Sequence, residues 1–217
     1  MYDWDFSHIL NSFGSYLNGA QTTILLSVLC CFTGTLFGLL IALVEEAHWF
    51  TKWTIRPFSY TIKGIPELVL LFFFYFFPYR QIFGIEPPEP FLCAFFAFSL
   101  SLAIFTSGLF ASAIEQIPQS QLLGARSLGF SGLEIFRYVV FPNVVRLALP
   151  GLLAFWISIL KLSSLASVIG VRDVVYVARI GMSENARALE AWLIVALVYV
   201  TLVVPLSLLS AYIEKLP

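Results

Sequence analysis

The chain has 217 residues, 59% of them hydrophobic and 12% charged, with a formal net charge of −1. Soluble domains lie nearer ~45–50% apolar and ~25% charged, so this composition describes an integral membrane protein. The near-neutral charge balance gives no electrostatic basis for binding nucleic acid.

In chain order, residues 1–21 form an N-terminal segment carrying Asp3, Trp4, Asp5, Phe6, Ile9 and Leu10 but no Lys or Arg, a pattern suited to an amphipathic stretch at the outer interface. No cleavable signal peptide is expected, because the first long apolar run starts only at Thr22. That run, Thr22–Val44, is long enough for about 30 Å of hydrocarbon. Thr33, Gly34, Thr35 and Gly38 give it the small-residue face on which helices pack in lipid.

Glu45–Arg56, with Glu45, Glu46, His48, Lys52, Trp49 and Trp53, reads as an interfacial connection. The next apolar stretch is short for a span and is interrupted at its start by Gly64 and Pro66. Gly64-Ile65-Pro66 marks either a broken membrane helix of the kind that lines a transport cavity or the start of a tilted one. A polar turn, Arg80–Pro90, precedes a third span over Phe91–Ala113. The three cysteines, Cys30, Cys31 and Cys93, lie in apolar runs and read as packing residues. Neither His8 nor His48 belongs to a Cys or carboxylate cluster of the kind that holds a metal, and no metal site is read from them.

Residues 117–142 are the long polar-patterned stretch in the middle of the chain. A helix is expected over Gln119–Leu128, with Gly129 at its left-handed C-terminal cap. Ser131 followed by Glu134 is a capping-box pattern, so a second helix is expected from Gly132 to about Val140, stopping before Pro142. A fourth span runs from Arg146 to Lys161, bent at Pro150. The charged segment Gly170–Leu189 is expected to be solvated or to face a binding protein, and Ala188–Ile213, bent at Pro205, is a fifth span.

The loop resembles the EAA loop of ABC importer membrane subunits, EAAxxxG followed by IxLP, with Leu123, Gly124, Ala125, Gly129, Val139, Phe141 and Pro142 in the corresponding places. The glutamate and first alanine of that pattern are replaced here by Leu123 and Gly124. Lys63, Gly64, Pro66, Glu67 and Leu68 resemble the Arg-Gly-x-Pro-acid-Leu text of the polar amino-acid branch, and Lys161 to Gly170 its Lys-x-x-Ser-Leu-x-Ser-x-x-Gly text. Relatives usually carry an acid or Gln, then Arg-Gly, where this chain has Gly108, Ala111 and Ser112.

The resemblance implies an all-α membrane protein: about five transmembrane helices in a type I ABC importer permease (MetI-like) bundle, residues 22–217, with a cytoplasmic coupling helix in the loop. It further implies import of a polar amino acid, arginine or another basic one included, by alternating access. ATP and Mg would be bound by a separate ATPase subunit, since no GxxxxGK[ST] phosphate loop occurs in the chain. The other partners implied are a second permease subunit, a related chain or a copy, and an extracytoplasmic solute-binding protein. The ATPase-coupling residues expected are Leu123, Gly124, Ala125, Gly129, Phe130, Ile135 and Phe136. For the substrate pathway they are Glu67, Ser107, Trp156, Lys161, Ser163 and Ser164. Lys161 either lines the pathway or pairs between subunits, or else snorkels to the interface, and the seryl hydroxyls equally suit plain helix packing.

Lys52, Arg56, Lys63, Arg126, Arg137, Arg146 and Lys215 outnumber Arg80, Arg172, Arg179 and Arg187 on the other side. The bias predicts a multi-pass protein of the bacterial inner membrane with its N-terminus outside and C-terminus cytoplasmic. Two other functions compete. An intramembrane Ser-Lys enzyme would use Lys161 with Ser163 or Ser164, but no oxyanion-hole motif accompanies them. A degenerate or scaffold permease, whose companion alone touches substrate, fits the missing charges at Gly108 and Ala111.

Overall fold

A computed structural model describes residues 4–47, 49–185 and 187–215, and among these every regular element is helical. The expectations for Asp3 and His48 lie outside the described residues, as do those for the side chains of Trp49, Glu184 and Asn185. The helices are α1 (Ser7–Asn11), α2 (Phe13–Ala47), α3 (Trp49–Lys63), α4 (Glu67–Phe76), α5 (Tyr79–Phe83), α6 (Pro90–Glu115), α7 (Gln119–Ser127), α8 (Gly132–Ile135), α9 (Phe141–Leu162), α10 (Val174–Asn185) and α11 (Ala188–Ile213). A π-helical turn, Phe136–Val140, joins α8 to α9, and a 3-10 turn, Ser163–Ile169, follows α9.

Four stretches are long and apolar enough to cross a membrane: Phe13–Glu46, Pro90–Glu115, Gly132–Ile169 and Ala188–Ile213. A fifth arises if α3 and α4, bent by 97° at the Gly-Ile-Pro break, count as one broken span. The sequence expected about five, and the interruption at Gly64 and Pro66 is a sharp break between two helices.

The frame of the bundle is the pairing of α2 with α6. Contacts advance together along both helices, Cys30 with Phe95, Thr33 with Ser99, Gly34 with Thr106, so the two run parallel. A Cβ on Gly38 would collide with Thr106 Oγ1 and stand 2.8 Å from the carbonyl of Ala103. Close backbone approach is what small residues allow where lipid supplies no hydrophobic drive between helices. The Thr106 hydroxyl lies 3.2 Å from the Gly34 carbonyl and 2.8 Å from that of Leu102, so its donor is used where water is absent. Cys30 and Cys93 are buried in the central apolar cluster, in keeping with a packing role.

Apolar residues that a soluble protein would hide face outward, Phe32 on α2 at 68% exposure and Leu208 on α11 at 67% among them. Lipid or another apolar surface is the natural solvent of such faces.

Three elements differ from expectation. Helix α2 begins at Phe13 rather than Thr22 because its first turns pack under α10. Tyr16 is buried against Val174 and Ala178, and no residue from Phe13 to Gln21 breaks the helix. The segment Gly170–Leu189 is not simply solvated, since Val171, Asp173, Val174 and Ala178 are buried. Finally, the helix begun at Gly132 does not stop before Pro142. It passes through the π turn into α9 and on to Ile169. A π turn replaces i→i+4 bonding locally, so the donor that Pro142 lacks is not missed there.

Candidate coupling surface and transport path

The elbow between α6 and α9 is built from local chemistry. Helix α7 ends in a Schellman motif: Gly129 N–H donates to the Arg126 carbonyl at 3.0 Å and Phe130 N–H to that of Ala125 at 3.2 Å. Gly129 takes φ +82°, a left-handed conformation that suits glycine. Ser131 then caps α8 reciprocally, its N–H donating to Glu134 Oε2 at 2.7 Å while Glu134 N–H points back at Ser131 Oγ. Asn143 Nδ2 donates to Gln121 Oε1 at 3.3 Å, and the rings of Phe130 and Tyr138 sit 6.3 Å apart. Both ties fix α7 against the start of the long Gly132–Ile169 rod.

The elbow exposes apolar side chains at a polar surface. Leu123 is 59% exposed, and a Cβ on Gly124 or Gly129 would meet nothing within 4 Å. Phe130 is exposed, while Ile135 and Phe136 are half-buried. Ala125 is buried within the chain, and its carbonyl accepts from Phe130 N–H in the Schellman motif. Leu128, Leu133 and Tyr138, not among the residues expected, stand out further than Phe130. Apolar residues in an otherwise polar stretch were the signal that could have found them.

Beneath the elbow an ion-pair cluster joins three helices. Arg56 Nε donates to the buried Glu45 at 2.6 Å, Arg56 Nη2 reaches Glu115 at 3.3 Å, and Lys52 Nζ reaches Glu46 at 2.6 Å and Glu115 at 3.6 Å. It locks the end of α2 to α3 and to the end of α6. Glu115 carried no sequence signal for this role.

Two cavities open off Phe105 and Phe155. The larger, about 520 Å³, takes in Lys63, Ser107, Gly108 and Ala111 and reaches the ion-pair cluster. The smaller, about 170 Å³, takes in Glu67, Ser101 and Ser158. Of the six pathway residues expected, Glu67 and Ser107 therefore reach these cavities, although the Ser107 hydroxyl donates to the Ile104 carbonyl at 2.9 Å. Trp156 instead bridges helices, Nε1 donating to Thr35 Oγ1 at 2.9 Å. Ser163 and Ser164 turn their hydroxyls to the carbonyls of Leu160 and Lys161. Those two serines serve the α9 end, and the Lys161 side chain lies at the surface of this chain.

At the far end, Asp173 is fully buried between α2 and α10. Its Oδ1 accepts from Tyr176 N–H at 2.7 Å, Oδ2 has no partner, and burial pushes the carboxyl up to about 6.

Comparison with known proteins bears on the whole chain. Residues 34–216 match the family described as "Binding-protein-dependent transport system inner membrane component". The "Probable amino-acid ABC transporter permease protein YckA" of Bacillus subtilis (strain 168) is 32% identical over 88% of this chain and 83% of its own length. The glutamine transport system permease protein GlnP of Escherichia coli (strain K12) is 29% identical over 98% of this chain and 97% of its own. The crystal structure of an amino acid ABC transporter with histidines contains a chain that superposes with a TM-score of 0.84 at 28% identity, covering 99% of each chain.

Proposed function

The chain belongs to the binding-protein-dependent transport system inner membrane components, and from that premise we propose that it is the permease subunit of an ABC importer moving a polar amino acid into the cytoplasm by alternating access. The observation that carries the mechanism is the elbow. Two capped helices present Leu123, Leu128, Leu133 and Tyr138 at the surface, and the second is continuous with the rod that runs through the bundle to Ile169. A push on α7 and α8 is thereby a push on a whole span, as switching between two rigid arrangements requires.

The energy comes from a separate ATPase subunit that binds ATP and Mg, and the elbow sits in that partner on the cytoplasmic side. The N-terminus is then outside, the C-terminus inside, and the α10 end faces the solute-binding protein. The exposed apolar faces of α2 and α11 leave room for a second permease subunit, a copy or a relative. The cargo is an amino acid such as those named for the relatives, with arginine among the options that the resemblance suggests. One observation favours a second reading, in which a companion chain supplies the substrate contacts: Gly108 and Ala111 line the larger cavity without any charge.

Co-expression with an ATPase subunit and reconstitution with a loaded binding protein tests this. Labelled amino acid should accumulate only when ATP is present on the elbow side. Accumulation without ATP, or a chain that purifies with no nucleotide-hydrolysing companion, contradicts it.

A further inference from the structure

Helix α2 leaves the ion-pair cluster below the elbow and ends, at the far side of the bundle, beside a cavity of about 500 Å³ shared with α1 and α10. Two glycines shape it. A Cβ on Gly19 would stand 2.9 Å from the Asp173 carbonyl oxygen and from Val174 Cα, so a bare residue is what lets α2 come this close to the start of α10. That approach brings Arg172 onto the same cavity wall as the first turns of α2. A Cβ on Gly181 would lie 3.6 Å from both His8 Nε2 and Tyr16 Oη, so those two polar tips converge over α10.

The wall carries donors and a cation but no carboxylate. His8, Ser12, Tyr16, Asn18, Arg172 and Tyr176 supply its polar groups. Arg172 is exposed, and among the described residues no carboxylate comes within ion-pairing distance of it. The acids at this end are engaged elsewhere: Asp173 is turned inward onto Tyr176 N–H, Asp5 accepts from Ser7 N–H, and Glu190 lies 3.6 Å from Arg187. Such a wall suits an anionic ligand rich in acceptors.

Depth and the neighbouring surface say which anion. The 35-residue helix α2 is on the order of 50 Å long, against about 30 Å of hydrocarbon. Its apolar run begins only at Thr22, which puts residues 12–19 at headgroup depth. The stacked, exposed rings of Trp4 and Phe6 are the aromatic pair expected at that level. Asn18, on the cavity wall, heads a stripe of α2 that continues at three- and four-residue spacing through Thr22 to Leu25, Leu29 and Phe32, and these last three are exposed. A polar cavity therefore opens above an apolar track that runs down into the hydrocarbon.

We propose that this cavity binds the phosphate headgroup of an anionic phospholipid, with Arg172 as the counter-charge and Leu25, Leu29 and Phe32 as the track for one acyl chain. A soluble anion would use the donors and leave the track bare, whereas a phospholipid uses both. The site lies at the opposite end of the bundle from the elbow and does not depend on which cargo is carried.

The test is equilibrium binding of tritiated phosphatidylglycerol to the purified permease–ATPase complex in detergent, compared with phosphatidylcholine and challenged with glycerol 1-phosphate. The wild type should hold phosphatidylglycerol about five- to thirtyfold more tightly than phosphatidylcholine. Arg172→Ala should weaken phosphatidylglycerol by about that factor, the worth of one charge-assisted contact at a lipid surface, and Arg172→Lys should stay within a few-fold. Asn18→Asp, which sets a carboxylate on the wall, should weaken it in the same direction. Arg80→Ala should change nothing, since Arg80 is paired with Glu86 away from the cavity. Gel filtration establishes that each variant complex assembles. Equal affinity of the wild type for the two lipids, or displacement of the lipid by an equal concentration of glycerol 1-phosphate, would overturn the proposal. So would unchanged phosphatidylglycerol binding in Arg172→Ala or, should that variant fail to assemble, in Asn18→Asp. If Arg172→Ala instead keeps the lipid and loses affinity for the loaded binding protein, the cavity belongs to that partner and the proposal is refuted.

Discussion

Replacing Gly129 tests whether the elbow must be stiff. At φ +82° an L-residue is disfavoured by about 1–2 kcal/mol. A Cβ there would touch nothing within 4 Å, so no collision adds to that figure. The cost falls on one conformation of the elbow, whose population against relaxed alternatives drops roughly 5- to 30-fold. Relaxation frees the Ala125 and Arg126 carbonyls that the Schellman motif had satisfied and lets α7 swing relative to α8. Insertion and packing of the spans are untouched, because the residue lies outside the bundle. The assay is amino acid accumulated per ATP hydrolysed in proteoliposomes. Gly129→Ala should lower the ratio several-fold and Gly129→Val further, while Gly129→Asn, whose side chain tolerates the left-handed region, should stay nearest the wild type. A valine variant that couples as well as glycine, or an asparagine variant as poor as valine, refutes the reasoning.

Gly38→Ala should destabilise the bundle by about 1–3 kcal/mol through overpacking against Thr106 and the Ala103 carbonyl. A lower melting temperature in detergent checks this, with Gly14→Ala, where a Cβ meets nothing, as the neutral control. For Asp173 the folded-state pKa is raised, from 3.8 to about 6, so the native state holds the proton more tightly than the unfolded chain. Stability should therefore be greatest below about pH 4, fall as pH rises toward 6, and be flat above, the total on the order of 2–3 kcal/mol. Thermal melts at several pH values should show that slope in the wild type and lose it in Asp173→Asn; the same slope in both would rule Asp173 out as its source.

What could be read from the chain was whatever local chemistry decides. Gly129, and Ser131 with Glu134, set a cap and a capping box through their own backbone preferences, and both are found where the spacing put them. The interruption at Gly64–Pro66 was readable for the same reason, but the choice between a broken helix and the start of a tilted one was settled only by the 97° bend between α3 and α4. The helix end expected at Pro142 was wrong because a π turn over Phe136–Val140 carries the helix past the proline. The burial of Asp173 was hidden because Arg172 and Arg179 beside it suggested a solvated segment, whereas α2 covers it from far off in sequence. The meeting of Lys63 with Gly108 and the reach of Arg56 to Glu115 depend on how α3 crosses α6. No periodicity along either helix reports such a crossing. The exposure of Leu128 and Leu133 was within reach of the sequence, since both stand among polar neighbours.

The central claim is that force enters this chain through the elbow and leaves as a movement of its spans. Leu123→Arg measures it most directly: a charge placed on a side chain that is 59% exposed should leave membrane insertion intact. Uptake should be abolished, and the loaded binding protein should no longer stimulate ATP hydrolysis. Uptake and stimulated hydrolysis both at wild-type levels would contradict it.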